Sequence, residues 1–186
     1  MRTLRLLRPD AWHCAPPSHG DAHFGKLHPW LTSRGSLTSR LTAKVERFNL
    51  VRLIQHAQLP NVDERRELGL RDREFAIVRE VLLRDGDTPL VFAHSLVARS
   101  DLRGVWRGLS RLGSRPLAEM LFLDAAVTRL PMEYKKIDRR HPLYRRAHDV
   151  APFAAASVWA RRSVFLKSGR PLLVTEVFLS DAIRAR

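Results

Sequence analysis

The sequence predicts an α+β fold, in which a single antiparallel sheet of about six strands carries helices packed on one face. The first observation is a pair of β-rich hairpins over 75–98 and 158–179, each closed by a short turn that contains glycine. Strands joined by so short a turn must be antiparallel, because a parallel pair needs a long crossover. The second observation is the helical spacing of apolar residues over 102–112, between the two hairpins.

The N-terminal third is predicted from its punctuation and periodicity. Segment 1–29 is rich in proline and histidine and is expected to be irregular. Apolar spacings near three and four predict a helix from Trp30 to about Lys44, with a break at Gly35-Ser36. A loosely alternating pattern predicts a strand over 47–59, and the polar residues 61–70 predict a loop or a short helical turn.

The remaining elements complete the sheet. Ser100 or Asp101 is expected to cap the helix over 102–112, and Pro116 to open a second short helix through Leu121. Residues 127–137 are predicted to form another strand. Residues 138–154 are basic and contain two prolines, so we expect an insertion-like loop.

Length and composition bound the class of protein. The 186 residues fit one domain over 1–186, and 45% hydrophobic with 28% charged residues is ordinary for a globular chain. The formal net charge of +14 comes from 33 basic against 19 acidic residues, and it suits a nucleic acid, an anionic membrane or a small anionic substrate. The basic residues are scattered and few aromatic residues lie among them, which disfavours a dedicated nucleic-acid binder. A composition biased toward arginine remains the simplest alternative.

The lone cysteine and the hydropathy pattern bear on location. Cys14 cannot form an intrachain disulfide, which suits the reducing cytoplasm. The basic N-terminus has too short an apolar run for a secretory signal, and no stretch reaches the length of a membrane span. We therefore expect a cytoplasmic protein without stable membrane insertion.

Cofactor and metal motifs are missing from the sequence. It contains no glycine-rich phosphate loop, HExxH, CxxC or GxSxG pattern, so we expect no cofactor and no metal. The eight histidines show no ligand-like pairing. His94, within VFAHSLV, is interpreted as a hydrogen-bonded histidine of the sheet rather than a catalytic base.

Two charged residues stand out within apolar strands. Glu176 in LLVTEVFL shares a strand face with Val174 and Phe178, so its carboxyl group needs a partner or a raised pKa. Arg79 in FAIVREVLL is likewise a charge in an apolar row, and it is the natural partner. The pair is either a structural ion pair or part of an anion-binding site with a general acid, and the pattern alone supports both equally.

The chain as a whole resembles the chorismate pyruvate-lyase family of ubiquinone biosynthesis. Four blocks carry the resemblance and occur in family order: WLTSRGSLTSRL at 30–41, VREVLLRDGDTPL at 78–90, LSRLGSRPLAEMLF at 109–122 and WARRSVFLKSGRPLLVTEVFL at 159–179. The resemblance implies an antiparallel sheet with helices. It also implies a lyase that splits chorismate into 4-hydroxybenzoate and pyruvate, the first committed step of ubiquinone biosynthesis, without a cofactor.

The resemblance also implies a set of site residues. Arg79 matches the arginine that binds the ring carboxylate, and Glu176 matches the acidic residue beside the ring oxygen; these two are the expected catalytic residues. Leu117 matches a backbone amide that helps to hold the carboxylate, and Leu37 matches a second backbone contact, at a position where a relative has methionine. The expected partner is the small dianion chorismate, with no nucleic acid, and the expected state is a monomer.

Two other functions compete with this interpretation. Effector-binding domains of some transcription regulators resemble this fold, so the fold alone does not establish an enzyme. Such a regulator should carry a helix-turn-helix segment, which the first 29 residues do not supply. A basic nucleic-acid binder is the third hypothesis, and a steep dependence of DNA binding on salt would identify it.

Overall fold

The computed structural model describes residues 11–16 and 22–179 and has an α+β fold. The strands are β1 (Phe48–Gln58), β2 (Ala76–Asp85), β3 (Thr88–Ala98), β4 (Val127–Arg129), β5 (Glu133–Asp138), β6 (Ser157–Lys167) and β7 (Arg170–Phe178). The helices are α1 (Ala22–Thr32), α2 (Leu37–Lys44), α3 (Val62–Glu67), α4 (Leu117–Phe122) and α5 (Pro142–Val150). Two 3-10 segments, Arg99–Arg103 and Arg107–Arg111, follow β3.

The seven strands form one antiparallel sheet in the order β1-β2-β3-β7-β6-β4, with β5 also paired to β6. Both predicted hairpins are present, as β2–β3 and β6–β7. Gly86 and Gly169 in their turns have positive φ, a conformation that glycine adopts without strain. The predicted α+β class and single antiparallel sheet are confirmed, with seven strands in place of about six. The strand expected over 127–137 is split into β4 and β5, because Pro131 between them has no N–H for the ladder.

Helices cover both faces of the sheet, which corrects the expectation that they would pack on one. The front face, which carries Arg79 and Glu176, packs against α1, α2, α4 and the 3-10 segments. The back face, which carries Glu80 and His94, packs against α3 and α5. The central strands are apolar at both odd and even positions, so each face needs its own cover.

Residues 138–154 are not simply a loop, because they contain α5. Pro142 occupies the first turn of this helix, where its missing N–H breaks no hydrogen bond. The ring of His141 caps the helix by accepting a hydrogen bond from the Leu143 amide at 3.2 Å. Leu143, Tyr144 and Ala147 then pack against the back face of the sheet. Both prolines of the segment therefore lie outside the helix interior, and they bound a helix.

Two other expectations about helices need correction. The irregular segment 1–29 contains most of α1, which includes Pro29 and buries Trp30 and Leu31 against the front face; residues 1–10 and 17–21 lie outside the described part. In place of the helix expected over 102–112, the chain forms the two 3-10 segments, which residues 104–106 separate. The apolar residues of that pattern still reach the core, since Trp106 and Leu109 are buried. The predicted break at Gly35-Ser36, the strand β1 and the short helices α3 and α4 are present.

Candidate active site

A cavity opens on the front face, between the sheet and the helices α2 and α4. Small side chains from the central strands form its floor, namely Ala93, Ser95 and Ser163. Large residues at these positions would fill the space, so their size creates the cavity. All four residues that the resemblance assigned to the site line it: Leu37, Arg79, Leu117 and Glu176.

Arg79 is a buried cation whose contacts are neutral. Its side chain extends from β2, and the residue is 1% exposed. Nη2 donates hydrogen bonds to the backbone oxygens of Gly113 at 3.3 Å and Arg115 at 3.0 Å, whereas the buried Nε has no partner in the described chain. Within residues 11–16 and 22–179, no carboxylate lies within ion-pair distance of it. Burial, and secondarily the charge of Arg52, lowers the pKa of Arg79 to about 10. Such a group favours the binding of an anion, because a counter-ion offsets the cost of burying the charge.

Glu176 pairs with Arg161 and not with Arg79, which corrects the partner expected from the sequence. Arg161 lies directly opposite Glu176 on the neighbouring strand β6, and its Nε donates to Oε2 of Glu176 at 2.5 Å. Arg79 shares the front face, but β3 separates its strand from β7, and Arg79 lies opposite Ser95. The antiparallel register of β6 and β7 therefore determines that Glu176 pairs with Arg161.

Leu117 and Leu37 begin the two helices above the cavity. Leu117 is the first residue of α4, after Pro116, and Leu37 is the first residue of α2, after the capping residue Ser36. Amides in the first turn of a helix have no carbonyl partner within that helix. These amides are suited to contacts through the backbone, and a leucine at position 37 is compatible with such a contact.

His94 lies on the back face, away from the cavity. Its Nδ1 is 3.2 Å from Oε1 of Glu80, and its Nε2 is 3.3 Å from Oε1 of Glu64, a contact without hydrogen-bond alignment. Arg146 of α5 donates to the other oxygen of Glu80 at 2.8 Å. Burial lowers the pKa of His94, but the two carboxylates outweigh it and raise the pKa to about 9. The interpretation of His94 as a hydrogen-bonded sheet histidine fits this position.

Two cavity residues were missed by the sequence reasoning, Arg161 and Arg129. In WARRSVF the strand alternation places Arg161 on one face with Trp159 and Phe165, and this is the argument that had singled out Arg79 and Glu176. The same alternation identifies Arg161 as a charged residue on an apolar strand face. Arg129 lies at the end of the short strand β4, where no periodic pattern is long enough to assign a face.

The sequence profile of the chorismate lyase family matches residues 21–186. The chain belongs to the chorismate lyase family. A protein of Nitrosomonas europaea named probable chorismate pyruvate-lyase is 46% identical over 181 residues, which cover 97% of this chain and 99% of the relative. One of Thiobacillus denitrificans with the same name is 47% identical over 153 residues and 82% of each chain.

Solved structures of two other protein domains share the fold of this chorismate lyase family member. The C-terminal domain of PhnF superposes with a TM-score of 0.58 at 15% identity, and covers 76% of this chain and 88% of that chain. The ligand-binding domain of a GntR-family regulator from Bordetella bronchiseptica gives 0.53 at 16% identity, over 74% and 87%. At this identity the likeness concerns the fold alone.

None of the helices in the described residues is both long enough and apolar enough to cross a membrane. The same residues contain no group of three or more histidine, cysteine, aspartate or glutamate side chains arranged to hold a metal ion.

Proposed function

We propose that this protein is a chorismate pyruvate-lyase, which converts chorismate into 4-hydroxybenzoate and pyruvate. The observation that carries the proposal is the buried guanidinium of Arg79, which has no carboxylate partner among the described residues and lines the same cavity as Glu176, in a chain of the chorismate lyase family. The relatives in Nitrosomonas europaea and Thiobacillus denitrificans carry this activity in their names. As the resemblance implies, the product would enter ubiquinone biosynthesis.

Each site residue has a proposed role. Arg79 binds the ring carboxylate through its guanidinium, and the backbone amide of Leu117 assists it. Leu37 offers a second backbone contact. Glu176 lies beside the ring oxygen and acts in proton transfer, held in position by its ion pair with Arg161.

The reaction needs no second reactant. The two products together contain the same atoms as chorismate: the ether bond from ring C3 breaks, ring C4 loses a proton, and the enolpyruvyl methylene gains one. No electron donor or acceptor is required, and the ring becomes aromatic, so the driving force lies in the substrate. Orientation of the dianion and electrostatic stabilisation of the separating charge are what the protein must supply. We therefore propose a cofactor-independent reaction.

The test is to incubate the purified protein with chorismate in the presence of a chelator and without added nucleotide. We expect equimolar 4-hydroxybenzoate and pyruvate. The Arg79→Ala/Glu176→Gln double variant serves as the control, because it removes both proposed catalytic side chains. Absence of product would refute the lyase, and activity that is lost in chelator and restored by a divalent metal would refute cofactor independence.

The proposed lyase acts as a monomer in the cytoplasm. All four proposed site residues line a cavity built from one chain, so a partner copy is not needed to complete it. The lone Cys14 suits a reducing compartment. Light scattering at enzyme-assay concentrations should give the mass of a single chain, and a dimer mass would contradict the monomer.

A further inference from the structure

The proposed substrate carries two carboxylates, and one remains without a partner in the site described so far. Arg79 is assigned to the ring carboxylate. The carboxylate of the enolpyruvyl group also enters a partly buried cavity, where an ionised group needs a cation or several hydrogen-bond donors. Among the described residues, three cationic side chains line this cavity: Arg79, Arg129 and Arg161.

Arg161 is already neutralised and hydrogen-bonded. Its Nε pairs with Glu176, and its Nη1 donates to the backbone oxygens of Trp30 at 2.7 Å, Leu31 at 3.2 Å and Ser33 at 2.9 Å. The residue is 1% exposed. Its charge is therefore offset by Glu176, and Nη1 is used to hold α1 and the following loop against the sheet.

Arg129 has a free charge and a partly free set of donors. Its Nε donates to Oγ of Ser163 at 3.0 Å, and its Nη1 donates to the backbone oxygen of Arg34 at 2.7 Å. In the described chain, Nη2 has no hydrogen bond, and no carboxylate lies within ion-pair distance. The guanidinium lies over the rings of Phe165 at 5.3 Å and Phe122 at 5.7 Å, which limit its hydration. Burial lowers the pKa of Arg129, and Glu176 and Arg161 act on it in opposite directions.

The position of Arg129 fits the geometry of a dianion. Arg129 lies opposite Phe165 of β6, so four strand spacings separate β4 from β2, which is about 19 Å along the sheet. Arg79 and Arg129 extend from these two strands on the same face of the sheet and line one cavity, so a substituted ring with two carboxylates can lie between them. In chorismate the enolpyruvyl ether is on the carbon next to the one that bears the hydroxyl. A group that binds the enolpyruvyl carboxylate must therefore lie on the Glu176 side of the cavity. Arg129 lies there, because it donates to Ser163 of β6. Ser163 is two residues from Arg161, the partner of Glu176, on the same face of that strand.

We infer that Arg129 is the second anion-binding residue of the cavity and binds the enolpyruvyl carboxylate of chorismate. The inference rests on the proposed lyase function and extends it to the group that leaves as pyruvate. Arg129 then distinguishes substrate from product, because 4-hydroxybenzoate retains only the ring carboxylate. Ser163 and the Arg34 carbonyl orient the guanidinium, so Nη2 faces the bound group.

The experiment compares a monoanion with a dianion on the same ring. Binding of 4-hydroxybenzoate and of 3-(carboxymethoxy)-4-hydroxybenzoate is measured by calorimetry for the wild type, Arg129→Gln and Arg129→Lys, and the KM for chorismate is measured in parallel. Arg107→Gln is the control, because Arg107 is an exposed residue outside the cavity and its loss changes the net charge equally. Thermal midpoints verify that each variant is folded.

We expect Arg129→Gln to weaken the binding of the dicarboxylate and to raise the KM for chorismate, each by about 10- to 100-fold. This is the usual range for a lost hydrogen bond to a charged group. Affinity for 4-hydroxybenzoate should change by less than about threefold in this variant, because that ligand lacks the second carboxylate. Arg129→Lys, which keeps the charge, should lose less, and Arg107→Gln should match the wild type.

Other outcomes separate this inference from the proposed function. Suppose that the wild type converts chorismate, but Arg129→Gln either weakens the binding of both ligands equally or does not weaken the binding of the dicarboxylate. That result would overturn the role of Arg129 and leave the lyase function intact. A wild type that makes no 4-hydroxybenzoate, yet binds the dicarboxylate through Arg129, would overturn the lyase and support the anion site. If Arg129→Gln does not fold, Arg129→Lys decides the question. A selective loss of affinity for the dicarboxylate in that variant supports the inference, and an affinity equal to that of the wild type overturns it.

Discussion

Arg79 holds a positive charge inside the protein, and its hydrogen-bond partners within the described part of the chain are backbone oxygens. Gly113 and Arg115 supply those oxygens from the segment just before α4, so the guanidinium is positioned before any ligand arrives. Preorganised donors of this kind bind a planar carboxylate without a further cost of ordering. The residue thus combines a fixed geometry with an unneutralised charge.

Arg79→Ala should weaken binding of 4-hydroxybenzoate by about 2–5 kcal/mol, because the ligand carboxylate would then be buried without its charged partner. Arg79→Lys should recover part of this loss, since an ammonium group lacks the bidentate fork. The measurement is calorimetric titration. Arg84→Ala, on the same strand and paired with the exposed Asp87, is the control. Wild-type affinity in Arg79→Ala would show that the ring carboxylate binds elsewhere.

Glu176→Gln should reduce kcat by about 10²–10⁴-fold, the usual contribution of general acid–base catalysis, because the amide cannot exchange a proton in the same way. Affinity for 4-hydroxybenzoate should change far less, since the amide keeps the size and most hydrogen bonds. Glu176→Ala should in addition lower stability through the cavity it creates. Steady-state kinetics and product titration are measured side by side.

The chain supplies a matched control for that variant. Glu133→Gln removes the charge from another strand glutamate that pairs with an arginine of β6, Arg162, at 2.7 Å, outside the cavity. It should keep wild-type turnover. If Glu176→Gln also stays within a few-fold of the wild type, Glu176 only positions the ring, and the bound pose together with aromatisation carries the reaction.

At the scale of elements, two adjacent arginines of β6 form ion pairs on opposite faces of the sheet. Arg161 points to the front face and pairs with Glu176, whereas Arg162 points to the back face and pairs with Glu67 and Glu133. Two consecutive charges in one buried strand are tolerated because each has an acidic partner on its own face. The front pair supports the cavity, and the back pairs attach α3 and β5.

The helix α5 covers the part of the back face that a loop would leave open. Leu143→Ala should lower the free energy of unfolding by about 2–5 kcal/mol, because Leu143 is 3% exposed in the back-face core. Arg145→Ala, at an exposed position of the same helix, should change it by less than about 0.5 kcal/mol. Urea unfolding measures both. Equal, small effects would indicate that 138–154 packs loosely, as a surface loop does.

At the scale of the whole molecule, the back face is joined to its helices by buried charges. His94 on β3 contacts Glu64 of α3, and Glu80 on β2 contacts both His94 and Arg146 of α5. Burial raises the pKa of Glu80, but His94 and then Arg146 outweigh it, so its pKa is lowered overall. Stability from His94 is therefore present below its unfolded pKa of 6.5 and is lost as pH rises through about 9. Stability from Glu80 is present above pH 4.5 and is lost on acidification.

His94→Gln should reduce the free energy of unfolding at pH 6 by about 1–3 kcal/mol, and the difference from the wild type should shrink as pH rises through about 9. Denaturant unfolding across that pH range gives the difference directly. His56→Gln, at an exposed position of β1, should follow the wild type throughout. A difference that stays constant between pH 6 and pH 10 would mean that His94 is not a cation in the folded protein.

The net charge of +14 also acts on the molecule as a whole. A positive field attracts a dianionic substrate over distances that salt screens, so kcat/KM for chorismate should fall several-fold between low and high salt while kcat stays nearly constant. A stopped-assay series in sodium chloride measures this. Tight, steeply salt-dependent binding of arbitrary DNA would instead favour the nucleic-acid hypothesis.

The sequence by itself determined the features that depend on neighbours along the chain. The two hairpins follow from β-rich runs joined by short turns at Gly86 and Gly169, and four ordered blocks predicted the lyase family and the residues that line one cavity. It misassigned α5, because a proline in the first turn of a helix gives the same local signal as a proline in a loop. It misassigned part of α1 because Pro29 lies inside that helix, where proline normally breaks a helix.

The tertiary structure decided how the two hairpins lie beside each other. Arg161 lies opposite Glu176 within the β6–β7 hairpin, whose register follows from its turn. The pairing of β3 with β7 separates Arg79 from Glu176, and the pairing of β4 with β6 brings Arg129 from a three-residue strand into the same cavity. Period-two alternation assigns a side chain to a face, but it carries no information about which strand lies beside it. That choice depends on the burial of both faces at once, since each face carries apolar side chains that the helices cover.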